Sequence, residues 1–296
     1  MDRAIKGLAH EGRVSIVVAD TTELVEYLRN LHDLTPTTTA VLGRVATITG
    51  MMGLTDIKEK EDSITVQING HGPAGAIVSV VKRKEAKSVV KLYVENPDVE
   101  LPLNENGKIA VGKAVGTDGF LNIIKENDFS KKAYNGLVPI VSGEIAEDFT
   151  EYYAKSKQTP TVIALGVLVD KNGVKRSGGY MINLMPDATD EDITKLENVL
   201  ANVEPISKML DDNLTLEEIA RKVTGDENAL FLINDLGLEF KCDCSKERFA
   251  DGLASIGKVE LEKIINEDGK AHTKCHFCGK EYNFSKEELE EILEEI

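Results

Sequence analysis

The sequence predicts an α+β protein with a mostly antiparallel sheet and packed helices at the N-terminal end, a helical linker, and a small C-terminal metal-binding domain. Three observations carry this. β-branched runs bounded by glycine and proline turns recur through the first 185 residues. Strand signals then give way to short, acid-rich amphipathic helices. All four cysteines fall near the end in two tight pairs, Cys242-Asp243-Cys244 and Cys275-His276-Phe277-Cys278. The three parts are expected at residues 1–185, 186–235 and 236–296.

Residues 12–19 are rich in β-branched side chains and predict a strand. Asp20-Thr21-Thr22-Glu23 follows as an acidic variant of a capping box, with Leu24, Tyr27, Leu28 and Leu31 at helical spacing behind it. Pro36 opens a second helix running to about Met52, and its Ala, Gly and Met content predicts burial. His10 and His32 are read as satisfied structural histidines. Residues 63–69 alternate with period two, and Gly70-His71-Gly72-Pro73-Ala74-Gly75 leads into another strand at 76–81, so it reads as a sheet connection and not a phosphate loop. A strand at 88–95 completes a hairpin.

Residues 108–112 and 119–124 are expected as two strands around the Gly116-Thr117-Asp118-Gly119 turn, with another at 137–142. Glu144 to Ser156 predicts a helix whose adjacent Glu147 and Asp148 read as a solvated helix start. The apolar run 161–169 predicts a central strand, Asp170-Lys171-Asn172-Gly173 a hairpin turn, and residues 178–185 the last strand. Residues 187–239 hold fourteen acidic and four basic residues. There Ile193, Leu196, Val199, Leu200, Val203 and Ile206 follow helical spacing, Pro205 interrupts, and Thr215-Leu216-Glu217-Glu218 caps a further helix ending at Gly225. Two helices between the cysteine pairs, a short strand at 281–284 and a final helix behind Ser285 complete the chain.

Composition excludes several functions. The net charge is −16, with 51 acidic against 35 basic residues, which opposes a nucleic-acid partner. No apolar run is long enough to span a bilayer, and the opening Met1-Asp2-Arg3-Ala4-Ile5-Lys6 lacks an export core, so no membrane association and a cytoplasmic location are expected. No P-loop, dinucleotide fingerprint, His-Glu-x-x-His or Gly-x-Ser-x-Gly occurs, and no enzymatic activity is expected.

The cysteines carry the chemistry. Two close pairs separated by thirty residues have the spacing of a tetrathiolate site, so Cys242, Cys244, Cys275 and Cys278 are the expected ligands of one zinc ion. The Cys-x-Cys half is not a usual zinc-ribbon spacing. Adjacent-but-one thiols can also join on oxidation, through a strained and easily reduced bond. The four cysteines are therefore both metal-ligand and redox candidates. His276 either supports thiolate reactivity, offers a further donor, or faces solvent. A thiol–disulfide oxidoreductase using Cys275 and Cys278 is an alternative, opposed by the missing βαβ context. A structural zinc-ribbon binding protein is another.

Cys242-Asp243-Cys244-Ser245-Lys246-Glu247-Arg248 with Cys275-His276-Phe277-Cys278 resembles the zinc motifs of the heat-shock protein 33 family. Ala114-Val115-Gly116-Thr117-Asp118-Gly119, Val141-Ser142-Gly143-Glu144 and Val203-Glu204-Pro205-Ile206-Ser207-Lys208 are similar to its core and linker signatures. The resemblance spans the whole chain. It implies an ATP-independent holdase that is inactive when reduced and zinc-bound. Oxidation would then form Cys242–Cys244 and Cys275–Cys278 disulfides, release zinc and unfold the zinc domain and linker. The implied partners are unfolding client proteins and, in the oxidised state, a second copy of the chain.

Overall fold

The computed structural model describes residues 2–59, 62–127 and 132–296, which fall into two compact units, Met1–Phe240 and Lys241–Ile296. In the first unit the described residues build one ten-stranded sheet. Its strands are β1 (Arg3–Ala9), β2 (Val14–Asp20), β3 (Ser63–Asn69), β4 (Ile77–Lys84), β5 (Lys87–Val94), β6 (Phe120–Asn127), β7 (Lys132–Pro139), β8 (Thr161–Asp170), β9 (Gly173–Leu184) and β10 (Leu230–Phe240). The order across the sheet is β7-β6-β3-β4-β5-β10-β1-β2-β9-β8. Every pairing is antiparallel except β10 with β5. The expected α+β class with a mostly antiparallel sheet is therefore found.

One face of the sheet packs on α1 (Thr22–His32), α2 (Pro36–Thr55), α3 (Val111–Val115) and α4 (Ala146–Lys155). Almost every residue of α2 is buried, as its Ala, Gly and Met content with a single charge, Arg44, predicts. Its glycines let the sheet come close: a Cβ on Gly53 would lie 2.2 Å from Ser88 Oγ, and one on Gly50 2.4 Å from the Leu238 side chain. The opposite face is covered over β1, β2 and β9 by α5 (Asp190–Leu200), α6 (Ile206–Asp211) and α7 (Leu216–Thr224). Ile5, Val14, Ile16, Val18, Tyr180 and Ile182 meet Leu196, Ile206, Met209, Leu216, Ile219 and Val223 there. Strands covered on both faces lose their two-residue alternation, which is why β2 reads as a continuous apolar run.

Several expectations need correction. Residues 108–110 are irregular and α3 follows, because Val111, Ala114 and Val115 bury one helical face; periodicity cannot separate helix from strand in so short a run. β8 is an edge strand, not a central one, and exposes Val162 and Leu168. The expected strand at 137–142 ends at Pro139. The last strand begins directly at the turn, at Gly173 and not at Gly178, and runs unbroken to Leu184. Asp148 is not solvated: it is 1% exposed and accepts the backbone N–H groups of Val141, Ser142, Gly143 and Ile145. β1 and β10 were not anticipated at all. β10 is the larger surprise, since it stands between β5 and β1 and joins two otherwise separate groups of strands.

His10 and His32 are satisfied structural residues. The His10 ring lies between Asp192 and the Thr224 carbonyl, at 3.1 and 2.8 Å, and His32 Nε2 is 3.1 Å from the Leu92 carbonyl.

Candidate metal centre

The second unit is built from α8 (Lys246–Ser255), α9 (Lys258–Glu267), a hairpin of β11 (Lys270–Lys274) and β12 (Glu281–Ser285), and α10 (Lys286–Glu294). Leu261, Ile265, Tyr282, Phe284, Leu289 and Ile292 form its small core. Serines start two of its helices: Ser245 accepts from Arg248 N–H, and Ser285 forms a capping box with Glu288.

Cys242 and Cys244 sit on the stretch before α8. Arg248, in the first turn of that helix, donates to the Asp243 carbonyl and pairs with its carboxylate at 2.8 Å, fixing the loop between the two sulfurs. Cys275 and Cys278 occupy the turn of the β11–β12 hairpin. Cys275 N–H donates to the Lys280 carbonyl and Gly279 N–H to the Cys275 carbonyl. Gly279 has φ +73°, a left-handed conformation that glycine adopts at little cost.

The four sulfurs all lie within 4.8 Å of one another. The cross-loop approaches are 3.7 Å for Cys242 to Cys275 and 3.4 Å for Cys244 to Cys278. All four thiols are free, since a disulfide requires about 2.05 Å. Cys275 is buried and the other three are half-buried. The arrangement brings together every cysteine picked from the sequence and can hold one metal ion. His276 is exposed and stands outside this set of ligand atoms.

Electrostatics differ among the thiols when no ion balances them. Burial pushes the Cys242 thiol well above the ordinary thiol range, and burial also raises Cys278. Burial acts the same way on Cys244, but hydrogen bonds from Tyr282 and the neighbouring thiols outweigh it and bring that group down to about 7. The Tyr282 hydroxyl donates to Cys244 Sγ at 3.2 Å, and that bond holds the phenol above its usual range. Sequence reasoning saw Tyr282 only as a strand residue. Its signal was the alternation that puts Tyr282 and Phe284 on one face of β12, toward the core and the sulfurs.

A family model described as Hsp33 protein matches residues 2–285. The chain belongs to the Hsp33 family. It is 44% identical to the 33 kDa chaperonin of Bacillus licheniformis, covering all of both chains, and 42% identical to that of Bacillus subtilis, covering 100% of this chain and 99% of the relative. The crystal structure of the 33 kDa chaperonin (heat shock protein 33 homolog) of Thermotoga maritima is 33% identical, with a TM-score of 0.87 over 99% of this chain and 98% of that one. The Hsp33 resemblance drawn from the cysteine, core and linker motifs thus stands. Among the described residues, no helix is long and apolar enough to cross a membrane.

Proposed function

We propose that this Hsp33-family chain is a redox-gated, ATP-independent holdase of the cytoplasm. In this reading Cys242, Cys244, Cys275 and Cys278 bind one zinc ion when reduced and form two disulfides, Cys242–Cys244 and Cys275–Cys278, when oxidised. The observation that carries it is the convergence of four free sulfurs, two from each of two loops, inside a unit with only a small apolar core. The donor set fits zinc: Zn–S bonds of about 2.3 Å in a tetrahedron put sulfurs about 3.8 Å apart. The cross-loop approaches of 3.7 and 3.4 Å are close to that spacing.

Bound zinc would hold the four sulfurs as thiolates and tie the two loops together. A structural zinc site contributes about 10–16 kcal/mol in small peptides, as much as the whole stability of a typical domain. Peroxide takes two electrons from each cysteine pair and is itself reduced to water, leaving disulfides in place of four ligating thiolates. Residues 241–296 then lose the main support of their fold. The α5–α7 layer then loosens from the sheet, uncovering Ile206, Met209, Leu216, Ile219 and Val223 and the strand face beneath them. Unfolding clients bind the apolar surface so exposed, and two active chains associate. The oxidoreductase alternative has less support, because Cys275 and Cys278 lie in a hairpin turn and not at a helix N-terminus, where reactive Cys-x-x-Cys thiols are activated.

The test is light scattering from a chemically denatured client diluted into the protein without ATP, before and after peroxide, with zinc and free thiols counted in parallel. Suppression only after oxidation, with one zinc lost per four thiols, is expected. Equal suppression in both states removes the switch, and turnover of a disulfide substrate favours the oxidoreductase.

A further inference from the structure

Tyr282 is not a ligand, yet its hydroxyl is aimed at one. We propose that Tyr282 is a positioning residue that sets the oxidant sensitivity of the cluster by donating its hydroxyl proton to Cys244 Sγ. This rests on the reading of the four cysteines as a zinc-binding redox site.

Three features place the donor. The hydroxyl oxygen is 3.2 Å from Cys244 Sγ, within reach of an O–H···S bond. Tyr282 is 7% exposed and its ring packs on that of Phe249 of α8, tilted by 34° at a centroid distance of 5.0 Å, so the hydroxyl cannot swing away without breaking core packing. Lys280 Nζ lies over the same ring, 5.1 Å from its centroid. A cation on the π face draws density from the phenol and makes its O–H a stronger donor. Tyr282 and Lys280 both belong to the chain leaving the second cysteine pair, whereas Cys244 belongs to the first. The hydroxyl therefore joins the two halves of the site through a bond that is not to metal.

The chemical consequence follows from what a thiolate must do to be oxidised. The Cys244 sulfur attacks one peroxide oxygen with a lone pair. The O–O bond breaks, hydroxide leaves, and the sulfur is oxidised by two electrons to a sulfenic acid. A neighbouring thiolate then displaces hydroxide from that sulfur to close a disulfide. A lone pair already engaged by an O–H is less available for the first step. Tyr282 thus restrains Cys244 while the fold is intact and releases it when α8 and β12 separate, which makes oxidation depend on unfolding. Outer-shell partners of this kind change metal affinity or activity roughly 10–100-fold when removed.

Tyr282→Phe keeps the ring on Phe249 and removes only the hydroxyl. In cobalt(II)-loaded protein the sulfur-to-cobalt charge-transfer band should move to lower energy in the variant, because the Cys244 thiolate becomes more electron-rich. In the same cobalt-loaded protein, where the metal keeps Cys244 a thiolate with or without the hydroxyl, mass-spectrometric thiol labelling under peroxide should show Cys244 lost roughly tenfold faster. Should the variant fail to load cobalt, Lys280→Gln decides, since Lys280 is exposed and its backbone contact to Cys275 is retained. It should shift both readouts in the same direction by less. No charge-transfer band in the wild-type protein overturns the metal reading beneath this proposal. A normal band left unmoved by the deciding variant, with oxidation rates equal to wild type, overturns the Tyr282 proposal alone.

Discussion

Cys275 is the most enclosed of the four sulfurs, at 4% exposure, and its backbone is pinned on both sides of the hairpin turn. Cys275→Ser should weaken metal binding by more than the roughly 100-fold upper range for outer-shell partners, because it removes a ligand itself. Competition against a chromogenic chelator measures this, and a variant still within tenfold of wild type rules out Cys275 as a ligand. Asp2 shows a different residue-scale effect. It is 7% exposed and caps α1 from a distance, accepting Glu23 N–H and Leu24 N–H. Burial, resisted by those two bonds, raises its carboxyl from 3.8 to about 6. A carboxyl raised on folding stabilises fully below its unfolded value and loses that contribution as pH rises through the folded one. Denaturant unfolding should therefore show wild type losing about 2 kcal/mol relative to Asp2→Asn between pH ~4 and ~7, and a pH-independent difference contradicts it. The Asp2 cap and the Tyr282–Cys244 bond were illegible in the sequence for one reason: each joins atoms more than twenty residues apart that only folding brings near, whereas the cysteine pairs announce themselves by local spacing.

Elements were legible where burial is one-sided. α1, α4 and α7 carry apolar stripes at helical spacing and emerge close to their expected bounds, whereas α5 stops at Leu200, leaving Val203 outside it and Ile206 at the start of α6. β3 alternates because helices cover only one of its faces. β1 and β10 defeat the same logic. In β1, Ala4 belongs to the core under α2 and Ile5 to the core under α5–α7, so neighbouring residues are both buried and no period survives. β10 hides in an acidic stretch, and its register against β1 shifts twice. The layer α5–α7 also depends on a polar clamp that no periodicity reveals. Asp192, at the start of α5, is 2% exposed and accepts from Arg13, His10 and Thr189. Asp192→Ala leaves Arg13 and His10 without their shared acceptor, which should weaken docking of α5 by about 2 kcal/mol. Faster amide exchange across residues 190–224, with β3, β4 and β6 still protected, is the expected signature. If the holdase reading is right, this variant also activates at lower oxidant. Uniform loss of protection across the sheet contradicts the idea of a separable layer.

On the scale of the whole chain, the two units rest on different supports. Met1–Phe240 contains two apolar cores on opposite faces of one sheet, and α2 is buried along nearly its whole length. Lys241–Ile296 has a single small core with three half-buried sulfurs beside it, too little for independent stability without a staple. The difference predicts an asymmetric response to one treatment. Chelating zinc from the reduced protein should open residues 241–296 to protease, with loss of the helix signal of α8, α9 and α10, while the sheet of the first unit stays resistant. Adding zinc back should restore the original digestion pattern, because the thiols still exist to bind it. After peroxide, zinc alone should restore nothing, and zinc with a dithiol reductant should restore everything. That difference separates loss of the ion from loss of its ligands, which a single unfolding curve cannot do. If chelated and metal-loaded proteins gave the same fragments at the same rate, the sulfurs would be a passenger in this fold and the proposed redox gate would fail.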